Sequence, residues 1–228
     1  MSGNNVIMAL RDRIIAIGDI HGHSQALAAL LALIDPTPSD TIVTLGDYVN
    51  RGPSSRDVLE ILSNLHQTCR HVPILGNHDE MMLDSRHDLH AEERWRSQGG
   101  DATLESYGPR AAIEKIPDDH WAFLNTCVPY FETDRFIFTH ANYCWYSSLA
   151  DQPSGLLRWI AIEEEPPKPH DSGKMVIVGH SPGEIRDLGF CRCLDTGCGL
   201  GGVLTAMDLN SERIWQVTET GQKVPATG

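Results

Sequence analysis

Apolar and polar positions alternate in blocks through the first third of the chain. Residues 13–17 form a continuous β-branched and apolar run, the pattern of a strand buried on both faces. Ser24 stands where an N-cap is expected. Leu27, Leu30, Leu31 and Ile34 follow at i, i+3, i+4 and i+7 and make one apolar helix face, which ends at Asp35-Pro36-Thr37-Pro38. Residues 41–45 repeat the strand pattern, and a helix starting near Ser54 or Ser55 turns Val58, Ile61, Leu62 and Leu65 inward. A third strand, about 71–75, contains Pro73, which cannot donate to a ladder and so belongs at an edge or a bulge. This βαβα rhythm predicts parallel strands whose carboxyl ends share one edge.

The pattern loosens further on. Residues 84–90 read as a solvated connection. Residues 91–126 are mainly helical, broken at Gly99-Gly100, Gly108-Pro109 and Pro117, and pack against or cover the shared crevice. Strands at 135–139 and 174–179 end in His140 and His180. Between them, 142–172 reads as an irregular insertion bordering the pocket, with Trp145, Trp159 and the proline-rich turn 166–169. Short alternating segments at 190–194, 203–209 and 213–218 predict an antiparallel meander.

Where the strands end, polar clusters begin. Gly18-Asp19-Ile20-His21-Gly22, the 46–52 stretch ending Asn50-Arg51-Gly52, and Gly76-Asn77-His78-Asp79 each open with a glycine and offer oxygen or imidazole donors. A lone histidine at a strand end is more often structural. Six donors at five strand ends, Asp19, His21, Asp47, Asn77, His140 and His180, point instead to a metal centre. Two divalent ions about 3.5–4 Å apart sharing one carboxylate acidify a bridging water and suit phosphate-ester hydrolysis. His78 opens a helix, whose macrodipole lowers an imidazole pKa.

Composition narrows the partners. The formal charge of −13, from 18 basic and 31 acidic residues, would repel a nucleic-acid backbone. No stretch spans a bilayer, and residues 1–10 lack the form of a signal peptide. Six scattered cysteines predict reduced thiols and a cytoplasmic protein; Cys191, Cys193 and Cys198 form a weak zinc alternative without a partnering pair. One domain over 1–228 is expected, with the oligomeric state open.

The motifs resemble those of the metallophosphoesterases, within them the phosphoprotein phosphatase (PPP) type and its bacterial serine/threonine members. The pattern GDxHG, GDxVDRG, GNHD/E and two later histidines is met at 18–22, 46–52, 76–79, His140 and His180, and the resemblance spans about 13–217. It implies a mixed α/β (α+β) fold, a central β-sandwich of mixed sheets flanked by helices. It also implies two divalent ions, manganese first with iron or zinc as alternatives. Asp19 and His21 would hold one ion, Asp47 would bridge, and Asn77, His140 and His180 would hold the other. His78 would be the general acid. Arg51, with Asn77 and Arg158, would contact the phosphate. The family has an aspartate where this chain has Asn50, which can still accept a hydrogen bond from His78 but brings no charge. The resemblance implies hydrolysis of phosphomonoesters, phosphoserine and phosphothreonine in proteins first and phosphotyrosine also. Symmetrical cleavage of dinucleoside tetraphosphates is the alternative, and a low-activity metal-binding interaction protein is a third reading, motivated by Asn50.

Overall fold

The computed structural model describes residues 12–225, so residues 1–10, read above against a signal peptide, lie outside the described residues. Two five-stranded mixed sheets face each other. The first has the order β10-β9-β1-β2-β3, built from β1 (Ile14–Ile17), β2 (Thr41–Thr44), β3 (Arg70–Pro73), β9 (Val203–Asp208) and β10 (Ile214–Thr218). The second has the order β4-β5-β6-β8-β7, from β4 (Tyr130–Glu132), β5 (Phe136–Thr139), β6 (Met175–Val178), β7 (Arg186–Asp187) and β8 (Cys191–Cys193).

The pleat sorts the apolar runs into layers, because successive side chains of a strand point to opposite faces. Ala16, Val43, Leu45 and Ile74 meet Phe136, Phe138, Ile177 and Leu194 between the sheets. Ile15, Ile17 and Ile42 turn the other way, onto α1 (Ser24–Ile34) and α2 (Ser55–Leu65) through Leu27, Leu30, Val58 and Leu62. Ile137, Val176 and Val178 bury the outer face of the second sheet against Tyr143, Leu149 and Ile162 of the 142–172 insertion.

The parallel pairings β1–β2 and β2–β3 bring Ile17 beside Thr44 and Thr44 beside Pro73, so the loops after these strands open on one edge. β5 and β6 are likewise parallel, aligning the chain that enters His140 and His180. Pro73 lies on an edge strand, as its missing N–H requires.

Several expectations change. His23, not Ser24, occupies the N-cap of α1 and makes no side-chain cap bond. The carboxy-terminal segments do not form one meander: β8 joins the second sheet parallel to β6, and only β9 and β10 pair as a hairpin on the first. Alternation specifies that a segment is a strand, not which sheet takes it. The 84–90 connection is shorter than expected, since α3 (Asn77–Ser85) runs into it and Asp88 caps α4 (Leu89–Trp95) by accepting from the His90 and Ala91 amides. The helical stretch is broken where expected, by a kink at Gln98 and Gly99, the latter with φ 96°, and resumes as α5 (Asp101–Ser106) and α6 (Asp118–Thr126). The insertion contains α7 (Ser154–Trp159).

Candidate metal centre

The strand-end loops pack so closely that only glycine fits at two of their crossings. A Cβ on Gly76 would lie 2.2 Å from Oδ1 of Asp47, and one on Gly179 2.2 Å from Oδ1 of Asp19. Tight loops also force backbone strain. His21, Asp47, Asn50, Arg51 and His180 all have positive φ, between 44° and 72°. Left-handed backbone costs a non-glycine residue on the order of 1–2 kcal/mol and persists where the surroundings over-determine it, commonly at functional sites.

These loops bring together five of the six residues expected to bind metal, His21, Asp47, Asn77, His140 and His180, and with them His78, expected as the general acid. His21, Asp47 and His78 form one group of potential ligand atoms, and Asp47, His140 and His180 form a second, so Asp47 belongs to both. Its Oδ2 is 3.4 Å from Nε2 of His21, and its Oδ1 is 3.4 Å from Nε2 of His140. Oδ1 of Asn77 lies 3.0 Å from His140 Nε2 and 3.1 Å from His180 Nδ1. Asp19 lies beside these groups, its carboxylate accepting from the His180 backbone amide at 3.1 Å.

Three histidines are aimed by backbone carbonyls. Nδ1 of His21 donates to Val49 O at 3.0 Å, Nδ1 of His140 to Leu45 O at 2.7 Å, and Nε2 of His180 to Trp159 O at 3.1 Å. Each ring thereby keeps its other nitrogen unprotonated and turned toward Asp47 or Asn77, the arrangement that supports metal-binding imidazoles. Burial, opposed by the Asp47 carboxylate, pushes His21 down to about 3 and His140 to about 4, so both rings are neutral near neutral pH and can offer a lone pair. Burial alone would raise the Asp47 carboxyl, but the surrounding histidines outweigh it and hold it low. Asp19 is pushed well above the usual carboxylate range by burial, then by Asp195 and Asp47. Two buried acids close to a third need positive charge, and the donor set fits a divalent cation centre of mixed oxygen and nitrogen ligands.

His78 and Arg51 face the same space. Nε2 of His78 is 3.9 Å from Asp47 Oδ2 and 3.4 Å from a terminal nitrogen of Arg51. On its other side, Nδ1 of His78 meets Nδ2 of Asn50 at 2.7 Å. The Asn50 amide cannot be turned over. Its Oδ1 accepts from Trp95 Nε1 at 2.8 Å and Thr103 Oγ1 at 3.1 Å, and its Nδ2 also donates to Gln98 O at 3.2 Å. An indole N–H only donates and a carbonyl only accepts, so Asn50 donates to His78 rather than accepting from it, reversing the expected direction. His78 therefore carries its proton on Nε2. Asp79 does not substitute for the missing carboxylate: its oxygens accept from the Tyr48 and Gly76 amides, and burial, then Asp47, raises it to about 8.

Arg158 is buried and ion-paired to Glu80, whose other oxygen accepts from Trp159 Nε1 at 2.7 Å. Glu80, three residues past Asn77 on α3, was not singled out by its sequence context, nor was Trp95, whose indole fixes Asn50. Among the described residues the potential metal groups contain no cysteine, and all six cysteines are free, so the Cys191–Cys193–Cys198 alternative is not supported. No helix among the described residues is long and apolar enough to cross a membrane.

The calcineurin-like phosphoesterase family model matches residues 12–197. Two symmetrical bis(5'-nucleosyl)-tetraphosphatases, from Paracidovorax citrulli and an Enterobacter strain, are 43% identical over 79 residues and 48% identical over 68. These stretches are 34% and 29% of this chain and 28% and 23% of the relatives, so the chain matches about a quarter of their length. Among solved structures, a chain assigned by its name alone as a diadenosine tetraphosphatase superposes with a TM-score of 0.67 at 24% identity, covering 92% of this chain and 95% of the other. A protein serine/threonine phosphatase from Saccharomyces cerevisiae gives 0.61 at 14% identity, covering 95% and 82%. At these identities the structural likenesses establish the shared fold. The family match runs through every metal-ligand candidate from Asp19 to His180, and the chain belongs to the calcineurin-like phosphoesterase family.

Proposed function

We propose that this phosphoesterase hydrolyses the central anhydride of dinucleoside polyphosphates, splitting a tetraphosphate symmetrically into two nucleoside diphosphates. The observation that carries this reading is the donor bond from Asn50 to His78. A phosphoserine ester leaves as an alkoxide, a strong base that needs a full proton from an imidazolium. Held with its proton on Nε2 and without a carboxylate behind it, His78 is poorly equipped to supply one; its own pKa is lowered by burial, opposed by Asp47. A polyphosphate instead leaves through a phosphate oxygen with a pKa of about 6, which requires only a hydrogen bond from Nε2–H. The named tetraphosphatase relatives support the same substrate, so the phosphoserine and phosphothreonine expectation gives way to its alternative.

Asp19, His21 and Asp47 would hold one divalent ion, and Asp47, Asn77, His140 and His180 the other; the mixed oxygen and nitrogen donors admit manganese, iron or zinc, with manganese first by the family resemblance. When bound, the ions supply positive charge for the attacking and leaving oxygens. Arg51 holds phosphate oxygens through its planar fork. Arg158 is a second candidate for that task and would have to exchange Glu80 for phosphate.

Supplying diadenosine tetraphosphate and a phosphoserine peptide to manganese-loaded protein tests the reading. ADP as the sole nucleotide product, formed faster than phosphate from the peptide, is expected. Turnover of the peptide with the dinucleotide intact would overturn it, and turnover of neither by metal-loaded protein would favour the interaction-protein reading.

A further inference from the structure

A cavity of about 670 Å³ is lined by Glu80, Met81 and Asp84 of α3, by Arg94 of α4, and by Gln98 and Trp159. It lies within the 300–1,000 Å³ range of small-molecule sites. Two backbone contacts tie its walls to the centre: Gln98 O accepts from Asn50, which in turn reaches His78, and Trp159 O accepts from His180. A substrate seated by its phosphates at the centre can therefore extend a neighbouring group into this space.

The lining says which group. Trp159 is a large aromatic residue left 40% exposed, while its indole N–H is fixed on Glu80 at 2.7 Å. Both oxygens of Glu80 are occupied, by Arg158 and by Trp159. The carboxylates of Glu80 and Asp84 make the wall unsuited to a further phosphate. A flat, uncharged ring with hydrogen-bonding edges matches an indole platform beside Asp84, Arg94 and Gln98.

We propose that this cavity receives one nucleobase of the substrate, stacked on Trp159; this rests on the dinucleoside polyphosphate reading. Steady-state kinetics of parent, Trp159→Phe and Trp159→Ala on diadenosine tetraphosphate and on an aryl phosphate test it. Loss of a stacking partner is expected to raise the KM for the dinucleotide about ten- to a hundred-fold beyond any change for the aryl ester, with Trp159→Phe recovering most of it. Equal changes for both substrates, or none, would overturn the proposal. Adenosine should also quench tryptophan fluorescence in the parent and not in Trp159→Phe. If the parent cleaves the aryl ester but not the dinucleotide, the functional reading fails; the adenosine titration then still decides whether the cavity binds a base, and its failure rejects the subsite itself.

Discussion

Gly76 and Asp47 touch so closely that a methyl group between them has no room: a Cβ on Gly76 would lie 2.2 Å from Asp47 Oδ1 and 2.3 Å from Asp47 N. The φ of Gly76 is −87°, so alanine could adopt its backbone, and the cost is contact alone. One obstacle is a backbone atom, which cannot swing aside as a side chain can. Gly76→Ala is expected to lose about 1–3 kcal/mol of stability and to weaken metal binding, because the displaced carboxylate belongs to both ligand groups. Gly183→Ala, where nothing lies within 4 Å, is the control and should unfold like the parent. Equal melting temperatures and metal affinities for all three proteins would show that the crossing is looser than described.

Replacing Asn50 by aspartate should reverse the bond to His78. A carboxylate would accept from Nδ1–H and favour imidazolium, while placing an oxygen against Gln98 O, 3.2 Å from the present nitrogen. Asn50→Asp is expected to turn over alkyl phosphate esters roughly 10-fold or more faster and to hold its rate to higher pH, since general acids typically contribute about 10²–10⁴-fold. The gain should shrink for aryl esters and anhydrides, which leave without a full proton, and stability should fall slightly. Plots of kcat against pH that coincide for parent and variant on an alkyl ester would refute the role given to Asn50.

Arg51 is exposed and held at φ 67°, with a terminal nitrogen 3.4 Å from His78. An arginine that serves phosphate rather than its loop should be dispensable for folding. Arg51→Ala should raise KM and lower kcat with the melting temperature nearly unchanged, and Arg51→Lys should recover little, since lysine lacks the bidentate fork. A large loss of stability in the alanine variant would assign Arg51 to structure instead.

His71 supplies a pH dependence away from the centre. Burial lowers it to about 4, opposed by a backbone bond, and its Nε2 lies 3.0 Å from Thr44 Oγ1. Because the folded value is below the unfolded one of about 6.5, the unfolded chain binds the proton first as pH falls. The contribution is therefore complete above pH ~6.5 and lost as pH falls toward 4, amounting to about 2–3 kcal/mol. Other buried groups add slopes of either sign, so the parent is compared with His71→Gln: the difference in unfolding free energy between them should shrink on acidification across that window. A difference independent of pH would mean His71 titrates normally.

The portion of this molecule legible in the sequence is the part where local pattern and chemistry coincide. β1 and β2 are continuous apolar runs because helices or the other sheet cover both faces, and the polar clusters that follow them carry the candidate ligands. β4 and β7 were missed because three- and two-residue edge strands are too short to show alternation. The 190–194 segment shows its strand character but not its partner, because pairing with β6 rather than with a meander depends on how the chain crosses after β6. At the site, the direction of the Asn50 bond depends on Trp95, 45 residues away, and on the Gln98 carbonyl, neither of which has a motif. Glu80 was invisible for the same reason: its partners, Arg158 and Trp159, lie 78 and 79 residues distant.

Asp47 belongs to both ligand groups, and counting bound metal tests that sharing most directly. Chelated protein titrated with Mn²⁺ in a calorimeter should bind two ions per chain, regaining hydrolysis as they bind. Asp47→Asn should bind both more weakly, while a change on one side alone, His140→Ala, should weaken one and spare the other. A single ion per chain in the parent, or an Asp47→Asn protein that retains two ions with unchanged affinity, would contradict a two-ion centre shared through Asp47.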